Sequence, residues 1–412
     1  MRVLVVHNEY SSRLPSGENL SVRDEVAWLR SAGVDVHTHL VSNDTIAEGT
    51  RLTKVRQAAQ VPWSRSAGAR LRADIERLRP DVVHVHNLFP LLTASAPWSA
   101  LRAGVPVVWS CRNRRVVCVE GTHFRNGLPC HLCRPGWRLP GVRYGCYQRL
   151  AVGRGEISAP AAAAASALVT VSSGAFRAIA RRQVLAIGIA ENVRDWLVDV
   201  AHFPAERVRV KFNGVAGPPP GVALPPPETN DEFLFAGQLA DYKGLPLLIE
   251  AWRRSTSSGA RLRIVGGGTE AAQVEAAAAS DPRLTYVGTV APAAIAGEMK
   301  RARAVIVPST APETFGRVAA EALAHGRPVI TSGLGGLGEI VDSSCGWVTG
   351  TDPAALAAAI DEAAIDDTLV ARRGAAGRRR HARRFSPEAT TAALLEIYGE
   401  AIELRAGGAG LG

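Results

Sequence analysis

The sequence predicts an α/β protein made of two Rossmann-like domains, each with a parallel sheet. Three observations lead there. Its 412 residues are more than one ordinary core holds and suit two domains of about 200 residues each. Short apolar runs of strand length alternate with helical stretches in both halves, as βαβ units require. The proline-dense stretch Gly217-Pro-Pro-Pro-Gly-Val-Ala-Leu-Pro-Pro-Pro227 reads as an extended linker between them. The expected domains are residues 1–215 and 231–387, with the linker at 216–230 and a C-terminal helix and tail at 388–412.

Composition narrows the function classes. Hydrophobic residues make up 47% of the chain, yet no apolar run approaches the roughly 20 residues a membrane span needs. The Ala-rich run Ala159 to Ala167 reads as too short, because a strand-like segment follows it. Met1 to His7 lacks the apolar core of a secretory signal, so the expected location is the cytoplasm. The net charge of +10 is unevenly spread: residues 1–215 carry 29 Lys and Arg against 16 Asp and Glu, residues 216–412 only 19 against 22. A basic first half could meet an anionic membrane surface at the inner face or a phosphorylated acceptor, unless it reflects coding bias alone. Nucleic acid is excluded as a partner because no basic run carries the aromatic residues that stack on bases.

In the first half, Arg2 to His7 is a strand and a polar loop, Asn8 to Asn19, leads into a helix at Leu20 to Ala32. Gly17 in that loop would let a ligand approach the backbone. Gly33 closes the helix, and Val34 to Leu40 is the next strand. Asp81-Val-Val-His84-Val-His86-Asn87 reads as a buried strand whose C-terminal edge would hold His86 and Asn87 over a ligand, with His84 a core histidine or a third such residue. The strand Val105 to Ser110 ends in Cys111-Arg112-Asn113. Arg112 can clamp a phosphate or carboxylate but cannot serve as a base, since it stays protonated. Cys118, Cys130, Cys133 and Cys146 follow within 29 residues, two at Cys-x-x-Cys spacing. They could form a structural zinc site, though reduced cysteines packing a loop would read the same. Beyond them lie a helix at Ala161 to Ala167, a strand at Leu168 to Val171, a further helix, and a strand at Arg207 to Phe212.

In the second half, the strand Glu232 to Ala236 runs into Gly237-Gln238 and Lys243-Gly244, a loop suited to a diphosphate, before a helix at Leu245 to Trp252. Arg261 to Val265 ends in Gly266-Gly-Gly268, and Leu284 to Gly288 is another strand. The most informative stretch is Ala304 to Thr331. It reads as a strand (Val305 to Val307), a turn, a helix from about Phe315 to His325, and a strand (Val329 to Thr331). An anion at the helix entrance would gain hydrogen bonds from amides that have no partner inside the helix, and Gly316 lets the backbone come close. Glu313 and Glu321 flank that entrance, and carboxylates accept paired hydrogen bonds from vicinal diols. Diphosphate at the amides near Phe315-Gly316, sugar hydroxyls at Glu313 and ribose hydroxyls at Glu321 describe a nucleotide-sugar. An ordinary helix with a charged start is the plainer reading.

Two glutamates seven residues apart, with Phe315-Gly316 between them and Gly326-Arg-Pro-Val after them, resemble the signature of glycosyltransferase family 4, whose members have the GT-B fold. That resemblance implies two parallel sheets facing an interdomain cleft, a last helix that crosses back to the first domain, and transfer of a hexose-type sugar from a nucleotide-diphosphate donor to an acceptor hydroxyl. It implies retention of anomeric configuration and no obligatory cofactor or metal. By the same resemblance Glu313 orients the donor sugar, Arg112 lies near the bond being made, and Gly17, Gln238, Lys243, Phe315, Gly316 and Glu321 hold the donor; His86, from its strand edge, is a further catalytic candidate, and Gly266, from its glycine turn, a further donor-side one. A similar cysteine pattern occurs in part of the family. The chain departs from the pattern in three ways: Ser16-Gly17 stands for a glycine pair, Arg112 for a common histidine, and Gln238 for an arginine. Either the acceptor is anionic, with lipid-linked glycans among the candidates, or catalysis is weakened. The alternatives are therefore a catalytically silent sugar-nucleotide-binding protein and, within enzymes, a phosphorylase or epimerase, for which no motif is present.

Overall fold

The computed structural model describes residues 1–10, 16–47, 50–134, 139–147, 158–219 and 221–408. The middle of the expected polar loop (11–15), Pro220 of the expected linker and the tail 409–412 lie outside the described residues. The chain divides into two compact units. The first comprises Met1–His123, Cys130–Lys211 and Thr391–Gly412, the second Phe124–Pro129 and Phe212–Thr390.

Along the chain the strands are β1 (Arg2–Glu9), β2 (Asp35–Ser42), β3 (Val82–Val85), β4 (Val107–Cys111), β5 (Phe124–Arg125), β6 (Leu128–Pro129), β7 (Val184–Gly188) and β8 (Val208–Val210). They continue as β9 (Glu232–Ala236), β10 (Arg261–Val265), β11 (Leu284–Gly288), β12 (Ala302–Val307), β13 (Val329–Thr331) and β14 (Gly346–Val348). The first unit holds a six-stranded sheet in the order β2-β1-β3-β4-β7-β8, the second one in the order β11-β10-β9-β12-β13-β14. Every ladder in both is parallel. Such sheets bury both faces, which is why β3, β4, β7 and β12 are buried throughout. This is the two-domain α/β, GT-B class of fold that the sequence predicts.

In each sheet the chain winds outward on one side and then returns to the other side of its first strand. The order therefore reverses between β1 and β3, and again between β9 and β12. Ligands of open α/β sheets bind beyond the C-terminal ends of the strands at such a reversal.

The stretch Leu168 to Val171 is not a strand. It lies inside one helix, Ala159–Gln183, and the strand of this region is β7, immediately after it. The β-branched run is overridden by its alanine-rich surroundings, with Pro160 at the helix start. Its buried positions, Ala162, Ser166, Val169, Ser172, Phe176 and Ala180, recur every three or four residues. Thr170 spends its hydroxyl on the Ser166 carbonyl one turn back, at 2.8 Å. The apolar run is therefore longer than its alanines alone: by length and composition this helix could cross a membrane. One of its faces packs in the first unit, where the Phe176 ring meets Trp109 edge-on at 4.7 Å.

The helix expected from Phe315 starts only at Arg317. Gly316 has φ +103°, a left-handed conformation that cannot continue into the helix. At the other end of the chain, Ser386 caps the last helix, Pro387–Gly408, by accepting the Ala389 N–H. Leu394, Ile397, Tyr398 and Ala401 of that helix are buried in one cluster with Val3, Val5, Val108 and Leu185 of the first sheet.

Candidate active site

The loops after β9 and β12 meet at the reversal of the second sheet. Gly244 has φ +76°, and a Cβ there would stand 2.0 Å from the Pro308 carbonyl oxygen, so only glycine lets the two loops touch. Thr310 N–H donates to the Tyr242 carbonyl at 2.9 Å and locks the contact. Held in this way, Lys243 Nζ donates to Glu313 Oε1 at 2.6 Å, and Ser309 Oγ donates to the same oxygen at 2.7 Å. Burial works to lower the Lys243 pKa, but the Glu313 carboxylate outweighs it, and the net shift is upward. The pair stays part-exposed, at 25% for the lysine side chain and 17% for the glutamate.

A second glycine-rich loop fixes the Glu313 backbone. The Gly336 N–H donates to the Glu313 carbonyl at 2.8 Å, and the Glu313 N–H donates to Leu334 at 3.3 Å. A Cβ on Gly335 would lie 2.4 Å from that Glu313 oxygen, so the close approach requires glycine. The helix that begins at Arg317 then presents its first-turn amides directly after this clamp.

The remaining donor-side residues fall into distinct positions. Gln238 is exposed and its amide oxygen accepts from the Tyr242 hydroxyl at 3.2 Å. Gly266 joins strand ends, since a Cβ there would meet the Gly237 carbonyl at 1.8 Å. Phe315 turns its ring inward against Phe212 and Phe385, leaving only its backbone for a ligand. Glu321, in the second turn of its helix, accepts from Arg317 Nε at 2.8 Å.

The first unit contains a buried ionic cluster at the C-terminal edge of its own sheet. Its centre is Glu25, on the helix Gly17–Ser31. One carboxylate oxygen accepts from Lys211 Nζ and, at 3.3 Å, from Arg112 Nη2. The other lies 3.4 Å from His86 Nε2 and 3.6 Å from His84 Nδ1. Burial alone would raise the Glu25 pKa, but Lys211, Arg112 and His84 bring it down to about 2. Burial keeps His84 and His86 neutral, the former near 3 and the latter well below the usual histidine value. His84 is a core residue, bonded to Tyr398 Oη at 2.6 Å and Ser110 Oγ at 2.9 Å. His86 accepts at Nδ1 from Arg112 Nε at 3.2 Å, so these two predicted residues do come together.

Glu25, His84 and His86 have ligand atoms within 4.8 Å of one another. A metal ion does not fit among them, because Lys211 and Arg112 already supply the positive charge the carboxylate needs. Arg112 and His86 also line a recess, together with Glu18, Asn87, Arg115 and Trp109. Glu18 accepts there from the Tyr10 hydroxyl at 2.9 Å and from Asn113 Nδ2 at 3.3 Å. Arg115 donates to Tyr10 at 3.1 Å and stacks over the Tyr10 and Phe89 rings. Gly17 is exposed at the first position of its helix, and a Cβ would meet nothing within 4 Å.

Glu25, Lys211, Ser309 and Arg115 are absent from the predicted set. Glu25 alone left a signal, as an acid within the buried face Val22, Val26 and Leu29 of its helix. Cys118, Cys130, Cys133 and Cys146 are half-buried thiols.

A family model described as Glycosyltransferase Family 4 matches residues 15–216, and one described as Glycosyl transferases group 1 matches residues 230–366. A D-inositol 3-phosphate glycosyltransferase of Xylanimonas cellulosilytica is 35% identical over 42% of this chain, a stretch that spans 43% of that protein. A glycogen synthase of Mycobacterium tuberculosis is 28% identical over 97% of this chain and 94% of its own. Among solved structures, Anabaena Alr3699/HepE in complex with UDP-glucose matches with a TM-score of 0.64 and 17% identity, over 97% of this chain and all of that one.

Proposed function

Because the chain belongs to the family 4 glycosyltransferases, we propose that it moves a hexose-type sugar from a nucleotide-diphosphate donor to an acceptor hydroxyl, with retention of configuration. The observation that carries this reading is the Lys243–Glu313 contact at the reversal of the second sheet, set against the entrance of the helix Arg317–Ala324. The donor diphosphate takes the Lys243 ammonium and the first-turn amides, while Gln238 adds an amide where a second positive charge would be stronger. Glu313 receives sugar hydroxyls and Glu321 the ribose. Charge growing on the leaving diphosphate is stabilised by these fixed groups, and a leaving-group oxygen takes the acceptor proton. No metal is needed for that step. The UDP-glucose complex of the Anabaena protein supports a uridine or similar donor.

The acceptor is an anionic polyol or sugar, bound in the first-unit recess against Arg115 and Arg112. Support comes from the two guanidinium groups at that recess and from the name of the Xylanimonas relative, whose acceptor is an inositol phosphate. His86, neutral and bonded to Arg112, positions that guanidinium. The enzyme works in the cytoplasm, and its basic first half attracts it to the anionic inner membrane face.

The test is nucleoside-diphosphate release from UDP-, GDP-, ADP- and dTDP-sugars, with and without D-inositol 3-phosphate and other sugar phosphates. Acceptor-dependent release that disappears in Glu313→Gln is expected, with product configuration read by NMR. Donor binding without release from any pair would favour the silent binding protein, a reading to which the burial of Arg112 against Glu25 lends weight.

A further inference from the structure

Two guanidinium groups border the first-unit recess, and they differ in what holds them. The Arg112 side chain is 3% exposed and donates to Glu25 and His86, so its charge is already shared inside the unit. Arg115 is held by neutral groups. Its Nη1 donates to the Tyr10 hydroxyl at 3.1 Å, and the guanidinium lies 5.2 Å from the Tyr10 ring centroid and 5.4 Å from that of Phe89. Its stem runs beside Gly121, where a Cβ would stand 3.0 Å from Arg115 Cγ. Among the described residues no carboxylate pairs with it directly, which leaves a stacked, planar cation at the recess.

The Tyr10 hydroxyl joins Arg115 to an acid. It donates to Glu18 Oε2 at 2.9 Å and accepts from Arg115 and, at 3.3 Å, from Asn113 Nδ2, which fills its hydrogen-bonding capacity. Burial pushes the phenol well above its usual value against the pull of Arg115, so the proton it shares with Glu18 stays in place. Glu18 engages only Oε2, with Tyr10 and Asn113, while Oε1 is buried without a hydrogen-bond partner. A carboxylate oxygen that lacks a donor is costly, and the terminal torsion of a glutamate turns easily, so a hydroxyl entering the recess would supply what is missing. One phenol thus fixes a cation and a hydrogen-bond-accepting oxygen on either side of it.

Resting on the transferase reading above, we propose that Arg115 and Glu18, spaced by Tyr10, select an acceptor that carries an oxyanion beside a free hydroxyl. Arg115 takes the phosphate or carboxylate, and Glu18 accepts the hydrogen bond of the hydroxyl. Arg112 borders the site with its charge already matched, so the preference for an anion belongs to Arg115.

Binding is read by calorimetry on the full chain with UDP present, using D-inositol 3-phosphate, myo-inositol, cyclohexyl phosphate and D-glucuronate as probes. The parent should hold D-inositol 3-phosphate at least about tenfold more tightly than myo-inositol or cyclohexyl phosphate. Arg115→Gln should erase the preference over myo-inositol, Arg115→Lys should retain part of it, and Glu18→Gln should erase only the preference over cyclohexyl phosphate. Tighter binding of D-glucuronate than of either phosphate would support the same pair and name a carboxylate as its anion. A parent that binds all four alike or none, or a uniform loss across the probes in variants with unchanged thermal unfolding, would overturn the selection. Release of nucleoside diphosphate is scored separately. Transfer to uncharged acceptors alone overturns the selection and keeps the transferase, whereas the predicted preferences without any transfer keep the selection and remove the transferase.

Discussion

Lys243 and Glu313, seventy residues apart in sequence, share a 2.6 Å hydrogen bond because Gly244 allows the loops after β9 and β12 to touch. A donor diphosphate must therefore draw the ammonium away from its own carboxylate. Glu313→Gln keeps the shape but removes the charge, and should lower turnover about 100-fold or more while leaving donor affinity within a few-fold. Lys243→Ala should instead weaken donor binding at least about tenfold. Steady-state kinetics with binding calorimetry check both, and unchanged values in the two variants would move the donor site elsewhere. Because the Lys243 pKa is raised, its share of stability is full below the ordinary lysine value of about 10.4 and fades only as pH climbs above it.

Gly244→Ala should separate the loops. Its Cβ would collide with the Pro308 carbonyl, and the backbone there is left-handed. We expect a loss of about 1–3 kcal/mol in stability together with weaker donor binding, measured by denaturant unfolding and thermal shift with UDP. A variant as stable as the parent with the same donor affinity would contradict the contact.

Glu25 is the counter-charge for two buried cations. Glu25→Gln should cost about 3–5 kcal/mol, because Lys211 and Arg112 lose their carboxylate while remaining buried. The Glu25 pKa is depressed to about 2, so the stability it contributes is complete above its ordinary value near 4.3 and is lost as pH falls through about 2. Urea unfolding between pH 3 and 7 should show a slope toward acid that the variant lacks.

Val169 and Val171 discriminate between helix and strand for this segment. In a strand they would share a face; in a helix they point about 200° apart. Val169 is 2% exposed and Val171 57%. Val169→Asp should destabilise by several kcal/mol and Val171→Asp by no more than about 0.5. Equal effects would restore the strand.

Local pattern carried most of the fold. Strands β9 to β13 of the second sheet were legible because parallel strands of a buried sheet read as apolar runs, while the three-residue β14 was not, and Lys243 and Glu313 were legible because each follows such a strand. Leu168 to Val171 misled because four residues of β-type composition outweighed the periodicity of the twenty-five that contain them. The Glu25 cluster gathers residues from a helix, β3 and the ends of β4 and β8, and no local window holds two of its elements except His84 and His86. Arg112 was legible as a group that could clamp an anion, but its pairing with Glu25 and His86 was not, because those partners come from other elements of the unit.

The position of Tyr398 bears on how the protein is made. Its hydroxyl reaches His84 on β3, and its neighbours Leu394 and Ile397 seal the core beneath β1. During synthesis that core stays open until Tyr398 emerges, and Glu25, Lys211 and Arg112 must wait beside it. The unit encoded first is thus the one finished last, after residues 212–390 have had every chance to fold on their own. A chain cut just before Thr391 would hold a complete second sheet and an open first one.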